Sequence, residues 1–277
     1  MARSSTRPGM IAVLESTEGS PAPLTADEQV EQLKQTVSAS RLALYLACRL
    51  KFFFRYVAGL QKPKSPALHV GSSVHSVLKR WNKARWRDQP LSLKDLHDEF
   101  TQAWAHPEDP IEWEDDEAEQ QATAWKLIET YIRQANPAAK PEFVEVPVEA
   151  ELPGLPKLIG VLDLVQGGKI IDYKTSSQTP NAERVAHTNE VQTSIYALLY
   201  RHNTGRTELG MELHHLVKLK TPKVVITELP PMDEHRQSRL FTLIESYVEG
   251  LDRRDFVPSP GMQCASCEFL NECRRWH

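Results

Sequence analysis

The 277-residue chain reads as an α/β protein with a mixed sheet enclosed by helices, and three observations lead there. From about residue 38 to about 140 the apolar residues recur at helical spacing. From Glu142 they fall into short runs rich in Val, Ile and Leu, divided by glycine and proline pairs, the mark of strands and tight turns. After residue 188 helix-like and strand-like stretches alternate again, giving three strands, a helix, two strands and a closing helix inside helical flanks.

Residues 1 to about 35 mix Ser, Thr, Pro and Glu with little apolar periodicity and read as a mobile tail. Ser38 or Ser40 caps a first helix running through Tyr56, with Tyr45, Cys48, Phe52 and Tyr56 on one face. After Pro63 and Pro66 a second helix is expected from about Ser72-Ser73, carrying His75, Leu78 and Trp81 or Asn82. Helices over 92–105 and 115–135 follow, separated by His106-Pro107 and an acidic run. Strands are expected at 142–151, 157–165 and 169–174, with Pro153-Gly154 and Gly167-Gly168 as turns. A helix at about 188–203, strands at 211–219 and 223–228 and a helix over roughly 232–252 complete the order. The length suits one main domain, 36–277, with 85–140 as a helical insertion and a cysteine cluster at 264–273.

The net charge of −4 hides an uneven distribution. Residues 108–119 hold eight acids and no base, and residues 1–33 carry −3, so the rest of the chain is basic at +7. A basic body can bind a polyanion through local patches. The longest uncharged apolar run of the first half, Leu42 to Cys48, is far too short to span a membrane, and Met10 to Leu14 is too short for a signal sequence. A cytoplasmic protein without a membrane partner is the expectation.

Chemistry concentrates in three stretches: Gly160-Val161-Leu162-Asp163, Ile171-Asp172-Tyr173-Lys174 and Gln192-Thr193-Ser194-Ile195-Tyr196. Antiparallel pairing around Gln166-Gly167-Gly168 brings Asp163 and Asp172 towards one end of the sheet, and Asp172 and Lys174, two residues apart, share a strand face. Both acids stand in apolar runs, where an unpaired buried charge is costly. Two carboxylates beside one ammonium make a site for a hard divalent cation.

The four cysteines form a second constellation: Cys48 alone, then Cys264, Cys267 and Cys273. Together they make one tetrathiolate set with no thiol left over. Four thiolates suit a structural zinc or an iron–sulfur cluster, and spacing does not separate the two. Disulfides are a third option, disfavoured by the lack of a secretion signal.

In these residues the chain resembles the RecB-like branch of the PD-(D/E)xK nuclease superfamily, in particular its iron–sulfur members such as the AddB nuclease domain and CRISPR-associated RecB-like exonucleases. Ser38 to Phe52 with Tyr56 resembles the opening helix and first cluster cysteine, Gly71 to His75 the histidine motif, and Gly160 to Asp163 the G-x-x-D. Asp172-Tyr173-Lys174 is similar to the D-x-K, Gln192 to Tyr196 to the Q-x-x-x-Y, and Cys264, Cys267 and Cys273 to the closing triplet. Arg49 departs from the proline that often follows the first cysteine.

The resemblance spans about residues 38–275 and implies a restriction-endonuclease-like core whose N- and C-terminal helical parts are joined by the metal cluster. It implies Mg²⁺ or Mn²⁺ held by His75, Asp163, Asp172 and the carbonyl of Tyr173, with Lys174 acting on the attacking water. Gln192 and Tyr196 would hold the strand or the lysine, and Cys48, Cys264, Cys267 and Cys273 a 4Fe–4S cluster with a structural role. The implied activity is hydrolysis of DNA, single-stranded or with free ends, in repair, recombination or CRISPR adaptation, with a helicase or adaptation protein as partner. A catalytically silent DNA-binding or scaffolding module of the same fold is the alternative, opposed by the intact Asp163, Asp172 and Lys174.

Overall fold

The computed structural model describes residues 24–107, 109–113 and 116–276. Helix α1 (Ala26–Gln35) stands where the sequence suggested the end of a tail. Thr25 and Glu28 form a capping box, and Val30 and Leu33 are buried, so a cap and two apolar anchors dock an otherwise polar segment. The rest of the expected tail, residues 1–23, lies outside the described residues. Strand β1 (Thr36–Ser38) follows, too short for an alternating pattern to announce it.

Ser38 caps α2 (Ala39–Ala47), but the helix does not run on to Tyr56. Cys48 is extended, at φ −162° and ψ 108°, before α3 (Arg49–Phe52), and a π-helical turn, Phe53–Val57, closes the segment. Tyr45, Phe52 and Tyr247 pack edge to face around this break, with ring centroids 5.1–5.7 Å apart, so tertiary packing overrides helix propensity. Helix α4 (Pro66–Trp86) starts well before the expected Ser72. Pro66 does not delay it: behind the cap Ser65 it takes the first helical position, where its missing N–H has no helical partner to lose.

Helices α5 (Leu93–Ala105) and α6 (Glu117–Gln134) and strands β2 (Pro141–Ala150), β3 (Lys157–Gln166) and β4 (Lys169–Ser176) lie close to their expected bounds. The helix expected over about 188–203 is α8 (Glu190–Thr204), and a further short helix, α7 (Ala182–Thr188), precedes it across Asn189. Strands β5 (Met211–Val217) and β6 (Lys223–Leu229), helix α9 (Glu234–Asp252), a 3₁₀ turn (Met262–Ser266) and α10 (Leu270–Arg275) complete the chain.

The strands form one mixed sheet, helix-covered on both faces, as the sequence suggested. On one face α1, α2, α8 and α9 bury Leu33, Leu42, Ile195, Leu199 and Ile244. On the other, α4, α5 and α6 bury Val74, Leu78, Phe100, Leu127 and Ile128 against Val144, Leu164, Ile171 and Tyr173. Among the described residues no helix is long and apolar enough to cross a membrane.

Strand β3 is the pivot. One edge carries β2, antiparallel from Ala150 opposite Leu158 to Pro141 opposite Gln166. The other edge is shared, with β1 parallel to Lys157–Ile159 and β4 antiparallel to Leu164–Gln166. Gly160, Val161, Leu162 and Asp163 therefore have no strand partner on that edge, and the sheet opens beside them.

Candidate active site

The opening in the sheet is where the three sequence stretches meet. Gly167 and Gly168, at φ +58° and +71°, make the tight turn that pairs β3 with β4. Pairing ends at Leu164 opposite Ile171, so Asp163 and Asp172 lie one step beyond the last pair, where the strands part. There the Tyr173 N–H donates to Asp163 Oδ2 at 3.2 Å in place of a strand carbonyl. Helix α8 packs against the same gap because residue 160 is glycine: a Cβ there would meet Leu199 Cδ1 at 2.8 Å and Tyr196 Cε1 at 3.5 Å.

Gln192 ties the centre together. Lys174 Nζ donates to Gln192 Oε1 at 2.7 Å, and Gln192 Nε2 donates to Asp172 Oδ1 at 2.9 Å and to the Tyr196 hydroxyl at 3.1 Å. Lys174 Nζ also stands 2.8 Å from Asp172 Oδ2, as an ion pair outside hydrogen-bond geometry. Asp172 is 2 % exposed, so Oδ2 is a buried carboxylate oxygen without a hydrogen-bond donor. Burial holds the Tyr196 hydroxyl well above its ordinary pKa, which keeps its proton in place.

His75, from the middle of α4, reaches the site from the opposite side. Its Nε2 lies 2.8 Å from the Tyr173 carbonyl and its Nδ1 3.3 Å from Asp163 Oδ2. Both ring nitrogens thus face oxygens, an arrangement that suits a cation between ring and carboxylate. Burial pushes the Asp163 carboxyl up to about 6, while the His75 ring opposes the rise and Asp172 adds to it. Among the described residues one trio of potential ligands gathers within 4.8 Å: His75, Asp163 and Glu145 of β2. An imidazole, carboxylates and a nearby carbonyl are donors that fit Mg²⁺ or Mn²⁺.

His75, Asp163, Asp172, Tyr173, Lys174, Gln192 and Tyr196 thus surround one opening, but the ligand atoms that converge within 4.8 Å are those of His75, Asp163 and Glu145, and not that of Asp172. Sequence reasoning did not single out Glu145. Nothing local separates Glu145 from Glu142 or Glu149 on the same strand. Its signal is positional, as the residue across from Asp163.

From Lys174, Gln192 and Tyr196 a groove of about 1140 Å³ runs along β3 and α2, lined by Ala43, Leu46, Val148, Ile159 and Val161. Leu46 and Val161 stay 39 % and 41 % exposed there, and the charged residues lining it are Glu149 and Lys174.

The cysteines occupy a separate place. Cys48, Cys264, Cys267 and Cys273 are free, half-buried, and line one cavity of about 260 Å³ with Leu50, Phe54 and Phe269. Mutual proximity pushes the Cys273 thiol up, after burial as the main cause. Among the described residues no three of these sulfurs come within 4.8 Å of one another, so they do not converge on a point.

A family model described as the PD-(D/E)XK nuclease superfamily matches residues 36–274. The structure is similar to that of a candidate exonuclease from Eubacterium rectale, at 16% identity and a TM-score of 0.55, over 97% of this chain and 94% of that one. A second solved protein, SSO0001, matches at 16% identity and a TM-score of 0.41 over 90% and 93% of the two chains. A search of the curated proteins finds no match.

Proposed function

We propose, from the premise that the chain belongs to the PD-(D/E)XK nuclease superfamily, that it is a divalent-metal-dependent deoxyribonuclease of the RecB-like type, an exonuclease acting on single-stranded DNA ends. The observation that carries this is the meeting of Asp163, Asp172 and Lys174 at the unpaired edge of β3. Asp163, Asp172, His75 and the Tyr173 carbonyl would hold the cation. When bound, Mg²⁺ or Mn²⁺ lowers the pKa of a water and neutralises charge on the scissile phosphate. Lys174 orients the attacking water and stabilises the negative charge that develops on the phosphate. Gln192 fixes the ammonium against Asp172, and Tyr196 fixes Gln192.

The reading of an unpaired strand rests on the resemblance, and the exposed Leu46 and Val161 of the groove fit it in offering an apolar surface to bases that a duplex keeps stacked inside. At the cysteines the reading is a 4Fe–4S cluster with a structural role. A zinc ion binds thiolates at about 2.3 Å and would draw four sulfurs to roughly 3.8 Å of one another; these stand wider, around a cavity. On the resemblance, the activity serves DNA repair, recombination or CRISPR adaptation, beside a helicase or an adaptation protein.

Anaerobically purified protein, with its visible spectrum recorded, is incubated with end-labelled linear and circular single-stranded DNA in Mn²⁺ or EDTA. Linear strands should shorten from the ends, circles should survive, and EDTA should stop the reaction. Binding without cleavage in Mn²⁺ would instead identify a silent DNA-binding module, and cut circles an endonuclease.

A further inference from the structure

Glu145 lies within β2 at φ +49°, the one non-glycine residue in left-handed backbone inside a strand among the described residues. That conformation crowds Cβ against the backbone and is rare for a glutamate. Its effect on the sheet is visible in the packing. Phe143 and Val148, five residues apart, both pack on the cluster of Leu162, Val165, Tyr200 and Met211, and Leu162 and Val165, three apart, share that face as well. Regular pleating puts residues an odd number apart on opposite faces, so each strand holds an irregularity in between.

The two irregularities face each other. Val144 opposite Leu164 and Val146 opposite Leu162 bracket Glu145 and Asp163. The result brings one oxygen of each carboxylate and a ring nitrogen of His75 within 4.8 Å. Lys79, one helical turn after His75 on α4, stands 3.2 Å from Glu145 Oε2 and steadies that oxygen. Lys79 beside Glu145 and Lys174 beside Asp172 set two ammoniums against three carboxylates, and the buried Asp172 Oδ2 has no hydrogen-bond donor.

We infer that Glu145 is a further ligand of the divalent cation held by His75 and Asp163, aimed by the left-handed kink of β2 and oriented by Lys79. This rests on the nuclease reading above. It enlarges the ligand set beyond the residues named there and gives a reason for a glutamate at a position whose backbone favours glycine.

The test titrates Mn²⁺ into metal-free full-length protein and reads free Mn²⁺ by electron paramagnetic resonance. Glu145→Gln should weaken binding by about tenfold or more, in the range that loss of metal-site partners produces. Glu145→Gly keeps the left-handed backbone and should show the same loss, which decides the matter if the glutamine variant misfolds. Native affinity in the Gly variant overturns the inference, provided Asp163→Asn has lost binding. Native affinity in Asp163→Asn overturns the nuclease centre itself.

Discussion

The carboxylate centre and the cysteine cavity are built in different ways. Around Asp172 every neighbour is delivered by the sheet or by a helix packed on it, and Gln192, Lys174 and Tyr196 are already hydrogen-bonded to one another. The cysteine cavity joins residues more than 200 apart in the chain, and its small core is Leu50, Phe54 and Phe269. The tail is otherwise tied by partly exposed ion pairs, Lys51 and Arg55 to Glu268 and Lys62 to Glu272. Such pairs contribute about 0–1 kcal/mol each, and Met262 beside them is 95 % exposed. The first region is held by its own hydrogen-bond network, whereas the second is held by a small apolar core and partly exposed ion pairs.

The sharpest way to break that contrast is Lys174→Ala. Cleavage should fall by roughly 10²–10³-fold or more, the scale for removing a group that stabilises transition-state charge, in a protein that still folds but melts lower because buried Asp172 loses its ion pair. Full activity in a gel assay would remove the lysine from the chemistry. Next in size, on the proposed cluster Cys267→Ala should release iron and lower the melting temperature by on the order of 10 °C, since cluster binding and folding would then be one free energy. Iron analysis with calorimetry checks it, and a stable, active, iron-free variant would show that the cavity needs no cluster.

A smaller effect follows from Asp163. Its folded pKa, raised to about 6 against an ordinary carboxylate near 4, means that its stabilising contribution is present below about pH 4 and lost as pH rises through 6. At pH 7.5 and without metal, Asp163→Asn should therefore raise stability, on the order of 1–3 kcal/mol. That gain should vanish below about pH 4, and Mn²⁺ should stabilise only the native protein. Calorimetry at the two pH values reads both signs. Smallest is Tyr196→Phe, which removes one acceptor from Gln192 Nε2 and should slow cleavage by roughly two- to tenfold at unchanged Mn²⁺ affinity.

Much of this was legible in advance because it is local. Asp172 and Lys174 two apart on a strand, Gln192 and Tyr196 four apart on a helix, and the glycine pair of the β3–β4 turn declare their shared faces by spacing alone. The unforeseen elements had weak local signals: the capped but polar α1, the three-residue β1, and α7, separated from α8 only at Asn189. Cys48 illustrates the boundary, since its place opposite the tail cysteines could be expected but the extended backbone that puts it there could not.

The sequence alone determined the order of the main helices and strands, the β3–β4 turn and the strand face shared by Asp172 and Lys174, because periodicity and turn chemistry act over a few residues. Only the tertiary structure decided that β1 and β4 divide one edge of β3 and leave Gly160–Asp163 open, and that Glu145 stands across from Asp163. Both depend on how distant segments pack. A strand edge is left bare, or a glutamate held in left-handed backbone, only when the rest of the fold stabilises the arrangement by more than it costs locally.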